Sequence, residues 1–235
     1  MPLAILNDKV FFFVHVPKCG GTSIKSFLEE NGCIAFDGHG YNEWSKCTVD
    51  HIHTELYDKM VPKEFYDFGF IVFRDPIERM VSEFRMHAKP ASFSVNPINW
   101  ILYLFAKIRG KTVYKYKFLS IYWFVDIDCW AWGALCIAKL FPYRANNHFR
   151  PQSEFWRQDL EVFFFEDGLT NVFNWIINKS DLKRQNDGLL PHENRGKQKN
   201  ELLSEFTRFL IKKYYRSDYE LFEKLKLRTA SDKNK

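Results

Sequence analysis

The stretch from Val10 to Ser23, VFFFVHVPKCGGTS, constrains this chain more than any other. Val10 to Val16 is apolar, aromatic and β-branched apart from one histidine, the pattern of a strand buried on both faces. Pro17 ends it, and two glycines follow at once. Ser23 to Glu30 then sets Ile24, Phe27 and Leu28 on one helical face. Strand, glycine loop and helix form the first unit of the fold.

The same order recurs. Tyr66 to Phe73 (YDFGFIVF) reads as a second buried strand, ending at Arg74-Asp75-Pro76. Ile77 to Met86 then reads as a helix, with a cap-like aspartate and a proline at its first turn. Leu160 to Phe165 reads as a third strand, followed by Glu166-Asp167-Gly168 and a helix over Leu169 to Ile177. Strands alternating with helices predict an α/β fold: a P-loop-like three-layer sandwich, its mostly parallel sheet flanked by helices. Asn99 to Leu140 reads as mostly helical and aromatic-rich, so a helical insertion is expected at about 91–145. Asp181 to Asn200 reads as a polar loop. Glu201 to Leu227 reads as a terminal helix broken near Arg216-Ser217. With no internal repeat or dividing linker, the expectation is one domain over 1–228 and a disordered tail over 229–235.

Composition bounds the function. A chain of 235 residues with 46% apolar and 27% charged residues can bury a substantial core. A net charge of +5 favours an anionic partner, but it is modest and no nucleic-acid motif accompanies it, so no nucleic-acid partner is expected. Five cysteines without a CxxC pair argue against a disulfide framework or a zinc knuckle and suit the reduced thiols of a cytoplasmic protein. Met1 to Val16 lacks the basic start and small-residue cleavage site of a signal peptide. The longest apolar run, Phe118 to Leu140, carries Asp126 and Asp128 in its centre and so does not read as a membrane span.

The loop Pro17-Lys18-Cys19-Gly20-Gly21-Thr22-Ser23 has the chemistry of an anion site. Its glycines let the backbone approach a ligand, and the helix start adds free N–H groups and a favourable dipole. Lys18 brings a full positive charge, and Thr22 and Ser23 bring hydroxyls. A phosphate or sulfate fits. The order differs from a Walker A loop, where lysine follows the glycines and precedes the hydroxyl that holds magnesium. The second constellation is Arg74-Asp75-Pro76-Ile77-Glu78-Arg79-Met80-Val81-Ser82. Arg74 at a strand end and Ser82 two turns into the next helix can clamp a second phosphate. Both motifs fall at carboxyl ends of strands, where parallel sheets place their ligands.

PKCGGTS after a strand, followed by IVFRDPIERMVSEF, resembles the sulfotransferase superfamily, and more closely the carbohydrate branch related to the heparan sulfate 2-O- and 6-O-sulfotransferases. The resemblance implies 3′-phosphoadenosine 5′-phosphosulfate (PAPS) as donor, adenosine 3′,5′-bisphosphate as product, and no required metal. It implies that the first loop, Lys18 to Ser23, holds the 5′-phosphosulfate, with Lys18 at the oxygen bridging phosphorus and sulfur. It implies that Arg74 and Ser82 hold the 3′-phosphate. His148-Phe149-Arg150-Pro151-Gln152 is similar to a family segment reading HxxPQ, and makes His148 and Gln152 acceptor-site candidates. Leu189 to Arg195 resembles the family's late loop near the donor and adds Arg195. Tyr214 to Phe222 resembles its terminal helix.

Transfer to a hydroxyl needs a base, and histidine suits neutral pH. His15 lies in the first strand and reads as a core or supporting residue. His51 and His53, in Asp50-His51-Ile52-His53-Thr54-Glu55-Leu56, share a face if that segment is extended. The related 2-O-sulfotransferases carry a similar HxH before their RDP motif, which makes both residues candidate bases and leaves the choice open. Zinc is disfavoured because no third and fourth ligand is evident.

The aromatic segment interleaves Trp100, Tyr103, Tyr114 and Trp123 with Lys107, Arg109, Lys111, Lys115 and Lys117. Such a surface suits core packing, an anionic glycan, or the face of a bilayer. The expected acceptor is a carbohydrate or a lipid-linked glycan, with peripheral membrane contact as a further expectation. Golgi members of the family carry a membrane anchor, which is not evident here, so the chain reads as a bacterial-type soluble member or as an excised catalytic domain. Two rival readings remain: a P-loop small-molecule kinase using ATP, and a nucleotide-binding module without chemistry.

Overall fold

A computed structural model describes residues 2–36, 38, 40–90, 97–118, 121–182 and 203–232. In chain order its elements are β1 (Leu3–Leu6), β2 (Lys9–Val14), α1 (Gly21–Asn31), β3 (Cys33–Ala35), β4 (Tyr41–Asn42), β5 (Cys47–Thr48), α2 (Thr54–Tyr57), β6 (Phe68–Phe73) and α3 (Pro76–His87). There follow β7 (Lys89–Pro90), α4 (Pro97–Ile108), β8 (Tyr114–Phe118), β9 (Ile121–Val125), α5 (Ile127–Leu140), β10 (Glu161–Phe164), α6 (Leu169–Ser180), α7 (Glu205–Tyr214) and α8 (Arg216–Asp232). They form two compact units. The first comprises Met1–Asp75, Pro142–Arg195 and Arg216–Lys235, the second Pro76–Phe141 and Gly196–Tyr215.

The first unit is built on a sheet of order β10-β6-β2-β1-β3. β2, β6 and β10 run parallel, with Phe13 beside Phe70 and Ile71 beside Val162. β1 and β3 complete the sheet in antiparallel pairing. β1 is absent from the sequence reading. It joins β2 through a two-residue turn at Asn7 and Asp8, both at positive φ (45° and 62°). Asparagine and aspartate tolerate the positive φ that a two-residue hairpin turn of this kind requires.

Alternation along the strands sorts the phenylalanines onto two faces. Phe11, Phe68, Phe70 and Phe163 point to one face and meet Trp175 of α6. Phe12 meets Tyr57 of α2 on the other face, where Phe73 and Phe164 meet Phe222 of α8. α1 joins α6 through Phe27 and Phe173, their rings 4.8 Å apart. The result is the expected α/β arrangement, a parallel-rich sheet between helical layers. Each buried phenylalanine contributes about 1.5–3 kcal/mol, so the sheet interior dominates the stability of this unit.

The second unit packs α3, α5 and α7 with the hairpin β8–β9, which β7 extends at the β8 edge. Phe84 of α3 lies 5.0 Å from Tyr114 and 5.2 Å from Trp130, ring to ring. Buried Asp128 accepts from the Ser204 amide at 2.9 Å and pairs with Arg109 and Lys111.

Three expectations change. The mostly helical reading of Asn99 to Leu140 gives way at 114–125, where β-branched and aromatic residues in YKYKF and IYWFV favour a hairpin. The insertion expected at about 91–145 lies largely within the second unit, which starts at Pro76 and takes in α7. The terminal helix breaks at Tyr215, but α8 then continues to Asp232, because no glycine or proline stops it. No described helix is long and apolar enough to cross a membrane. None of the five cysteines forms a disulfide.

Candidate active site

The carboxyl ends of β2 and β6 carry the two motifs. Beyond β2 the chain turns through Lys18 and Gly20, both in the left-handed region, with φ of 67° and 84°. Glycine adopts this freely, whereas a lysine there costs about 1–2 kcal/mol. The loop is held against that strain. Cys19 is buried, and its Sγ lies 3.6 Å from the Pro17 carbonyl and 3.3 Å from Gln152 Oε1. Arg74 Nη1 donates to the Lys18 carbonyl at 3.2 Å.

Gly20 is the N-cap of α1, and no side chain caps that terminus or brings an acid to its first turn. The helix start therefore keeps its affinity for anions. Gly21 is packed so closely that a Cβ there would lie 1.8 Å from His15 Nε2. Ser23 is buried and Thr22 exposed.

Arg74 is half-buried. Its guanidinium lies 4.4 Å from the centre of the Phe165 ring, and its buried Nε has no hydrogen-bond partner among the described residues. A buried donor without a partner is costly and marks a place for a further acceptor. The loop, the uncapped helix start and this orphaned guanidinium N–H together offer donors to anionic groups. Ser82 is half-buried, two turns into α3 of the second unit. Arg195 lies outside the described residues, as do His39 and His192.

Gln152, expected at the acceptor, does something else. It is fully buried, and its Oε1 accepts from the Arg74 amide at 3.0 Å while its Nε2 donates to the Arg74 carbonyl at 2.7 Å. The same Oε1 takes the Cys19 thiol. One amide thus ties the loop after β2 to the loop after β6. Asp218 of α8, also fully buried, holds Gln152 in turn, accepting from the amides of Gln152 (3.0 Å) and Ser153 (2.9 Å). Sequence reasoning missed Asp218, because an aspartate within a terminal helix pattern looks like solvated surface.

The histidines separate clearly. His51 is half-buried and central to a cluster: its ring centre lies 4.9 Å from that of His15 and 4.9 Å from that of His148. Through His15 the cluster abuts Gly21. His53, by contrast, is 2% exposed. Neither of its ring nitrogens makes a hydrogen bond among the described residues, and Nε2 stands 3.5 Å from Glu55. Burial holds both imidazoles below the usual histidine pKa. His51 is held well below it, since the His15 and His148 rings add to the effect of burial. For His53 the Arg150 cation adds to burial and Glu55 opposes it.

Two asparagines orient His51. Ala145, Asn146 and Asn147 all have positive φ, a conformation asparagine tolerates well. The Thr48 amide donates to Asn146 Oδ1 at 2.6 Å, which fixes the amide and turns Nδ2 to His51 Nδ1 at 2.8 Å. Nδ1 is thereby the acceptor, and the neutral ring carries its proton on Nε2. Asn147 Nδ2 donates to the His51 carbonyl at 2.8 Å. The Asn-Asn pair just before His148 was the available signal for these residues. Among the described residues no group of three His, Cys, Asp or Glu side chains has metal-holding geometry.

A cavity of about 600 Å³, lined by Asp58, Lys63, Arg157 and Asp159 among others, lies away from these loops. Arg157 there is engaged by Asp58, Asp159 and Tyr66. Tyr66 precedes β6, whereas Arg74 follows it, so this cavity belongs to the opposite end of the strand. Asp58 and Asp159 there already pair with Arg157.

The sulfotransferase family model matches residues 2–224. The chain belongs to the sulfotransferase family. The match covers both motif loops, the HxH segment and all but the end of α8. Sulfuryl transfer is the chemistry of this family, and PAPS is its general donor. No curated protein and no solved structure matches the chain.

Proposed function

We propose that this protein moves a sulfuryl group from PAPS to a hydroxyl of a carbohydrate or glycan acceptor, with an imidazole of the His51 cluster as base. The observation that carries the reading is the loop Pro17–Ser23: strained at Lys18, opening an uncapped helix, and braced by Arg74. Bound PAPS supplies the sulfuryl group and a phosphate leaving group. The loop amides and the start of α1 would receive the phosphosulfate, and the Lys18 ammonium would offset charge developing at the bridging oxygen. The unpartnered Arg74 Nε supports a role at the second phosphate.

His51 is favoured over His53 as the proton acceptor. It adjoins the ring packed on Gly21, and it is half-buried, whereas His53 is shut away from an incoming hydroxyl. Burial and its imidazole neighbours keep His51 neutral, the form a base requires. The Asn146 Nδ2 contact holds the ring proton on Nε2 at rest, while a hydrogen bond to the Asn146 backbone opposes the lowering by burial. With its proton on Nε2, the ring can take a further proton only at Nδ1, where Asn146 Nδ2 stands, so Asn146 must withdraw that donor for His51 to act as base.

Calorimetric titration tests the donor site. Adenosine 3′,5′-bisphosphate is expected to bind far more tightly than ATP with magnesium; preference for ATP overturns the sulfotransferase mechanism in favour of a kinase. Turnover with PAPS and a panel of saccharides tests the chemistry. His51→Ala is expected to lower kcat by about 10²–10⁴-fold with donor affinity retained, and His53→Ala to lower it much less. Equal losses in the two variants overturn the assignment of the base.

A further inference from the structure

Helix α4 is turned inside out. Of its residues from Pro97 to Ile108, only Asn99 and Ala106 are buried. Asn99 Oδ1 accepts from the Phe124 amide at 3.2 Å, and Ala106 packs in a small cluster with Val113 and Phe124. The large apolar residues face water instead. Trp100, Ile101, Leu104, Phe105 and Ile108 recur at helical spacing and form one stripe, with Ile101 63% and Ile108 85% exposed. Folded chains seldom leave a contiguous apolar patch of more than a few hundred Å² without a partner.

The patch extends beyond the helix. The Arg109 guanidinium lies 5.2 Å from the Phe105 ring and 5.6 Å from the Trp132 ring. Trp132 in turn lies 6.0 Å from Phe206 of α7, which is itself exposed, as is Phe209 one turn later. Charge accompanies this surface with one sign. Residues 97–125 contain five lysines and arginines and not one aspartate or glutamate. Asp126 and Asp128 engage Arg109 and Lys111, but Lys107 is exposed on α4. On α7, Glu205 faces Arg208, and Lys212 and Lys213 are exposed beyond them.

We propose that the outward face of α4, with the adjoining face of α7, docks this protein on an anionic lipid surface. The apolar stripe enters the boundary of the acyl chains, and the lysines meet the headgroups. Trp100 and Tyr103 belong to the residue types that settle at that boundary. A helix of 12 residues is too short to cross a bilayer and lies in its surface. A second copy of the chain is the weaker occupant. A two-fold contact sets the same patch against itself, and this patch would then oppose lysine to lysine, with Glu205 already facing Arg208. The inference is independent of the donor chemistry and concerns where an acceptor is met.

Flotation of the full chain with phosphatidylcholine vesicles, with and without phosphatidylserine, tests it. The protein is expected to float with the anionic vesicles, and high salt is expected to release part of it. Ile101→Glu with Phe105→Glu is expected to cut partitioning by at least about tenfold while leaving the thermal unfolding curve in place. Ile108→Ser, a milder change at the most exposed position, is expected to weaken it in the same direction. Three results overturn the proposal: no flotation at any lipid composition, equal flotation of wild type and variants, or a wild-type dimer that the Ile101→Glu, Phe105→Glu variant splits.

Discussion

The sheet of the first unit and the outward faces of α4 and α7 in the second treat aromatic residues in opposite ways. The first hides them on both faces of its sheet, where Phe11, Phe12, Phe13, Phe70 and Phe73 are all at most 1% exposed. The second displays them along α4 and α7, where Phe105, Phe206 and Phe209 remain about half exposed. Composition does not distinguish these phenylalanines. What differs is the period of the surrounding pattern and what lies opposite. Strand alternation with helices on both sides leaves no outward face for β2 and β6, whereas α4 buries only Asn99 and Ala106. The first use of aromatics generates stability, and the second generates a surface.

The sharpest way to test that contrast is to make one substitution in both places. Phe70→Ala is expected to cost about 3–5 kcal/mol in urea unfolding, because a buried ring leaves a cavity. Phe105→Ala is expected to stay within about 0.5 kcal/mol of wild type. Similar losses at the two sites would break the comparison and mean that α4 is covered.

A smaller effect is expected where the first unit uses polar burial. Gln152→Leu removes the acceptor for the Arg74 amide and the Cys19 thiol. Loss of about 1–3 kcal/mol is expected, from buried backbone groups left unsatisfied. Weaker binding of adenosine 3′,5′-bisphosphate should accompany it, since Cys19 and Arg74, and with them the two loops, lose their common brace. A stability loss with unchanged nucleotide affinity would show that Gln152 serves the fold alone.

The smallest expected effect is the response to pH. His51 and His53 both have folded pKa values below the usual 6.5. The unfolded chain therefore binds their protons first as pH falls. Stability declines from about pH 6.5 downward, with a limiting slope of about 1.4 kcal/mol per pH step of one at each site, until the folded imidazole also titrates. Above that range these residues leave stability unchanged. Asn146→Asp places a carboxylate at His51 Nδ1, which favours the protonated ring. The acid limb of kcat/KM is expected to move to higher pH in that variant, and an unmoved limb would remove His51 from the role of base.

Much of the architecture was legible in the chain itself. The buried run before Pro17, the glycines and the helix after them, and the Arg74-Asp75-Pro76 start are local patterns, and each appears where its spacing predicts. The family motifs lie within those same stretches. The hairpin at 114–125 was less legible, because a short aromatic run is compatible with either a helix or a strand until its partners are known.

Only the tertiary structure decided which residues work together. His51 and His53 stand two positions apart and look equivalent in sequence, yet one joins His15 and His148 while the other is sealed against solvent. Gln152 reads as an acceptor residue and proves to be a tie between two loops, across 78 residues to Arg74. Asn146 reaches His51 across 95 residues. The physical reason is common to all three. Periodicity and turn chemistry act over a few residues and are written locally. A hydrogen bond to a distant partner exists only after the chain has closed on itself, and nothing in the local pattern carries that partner's identity.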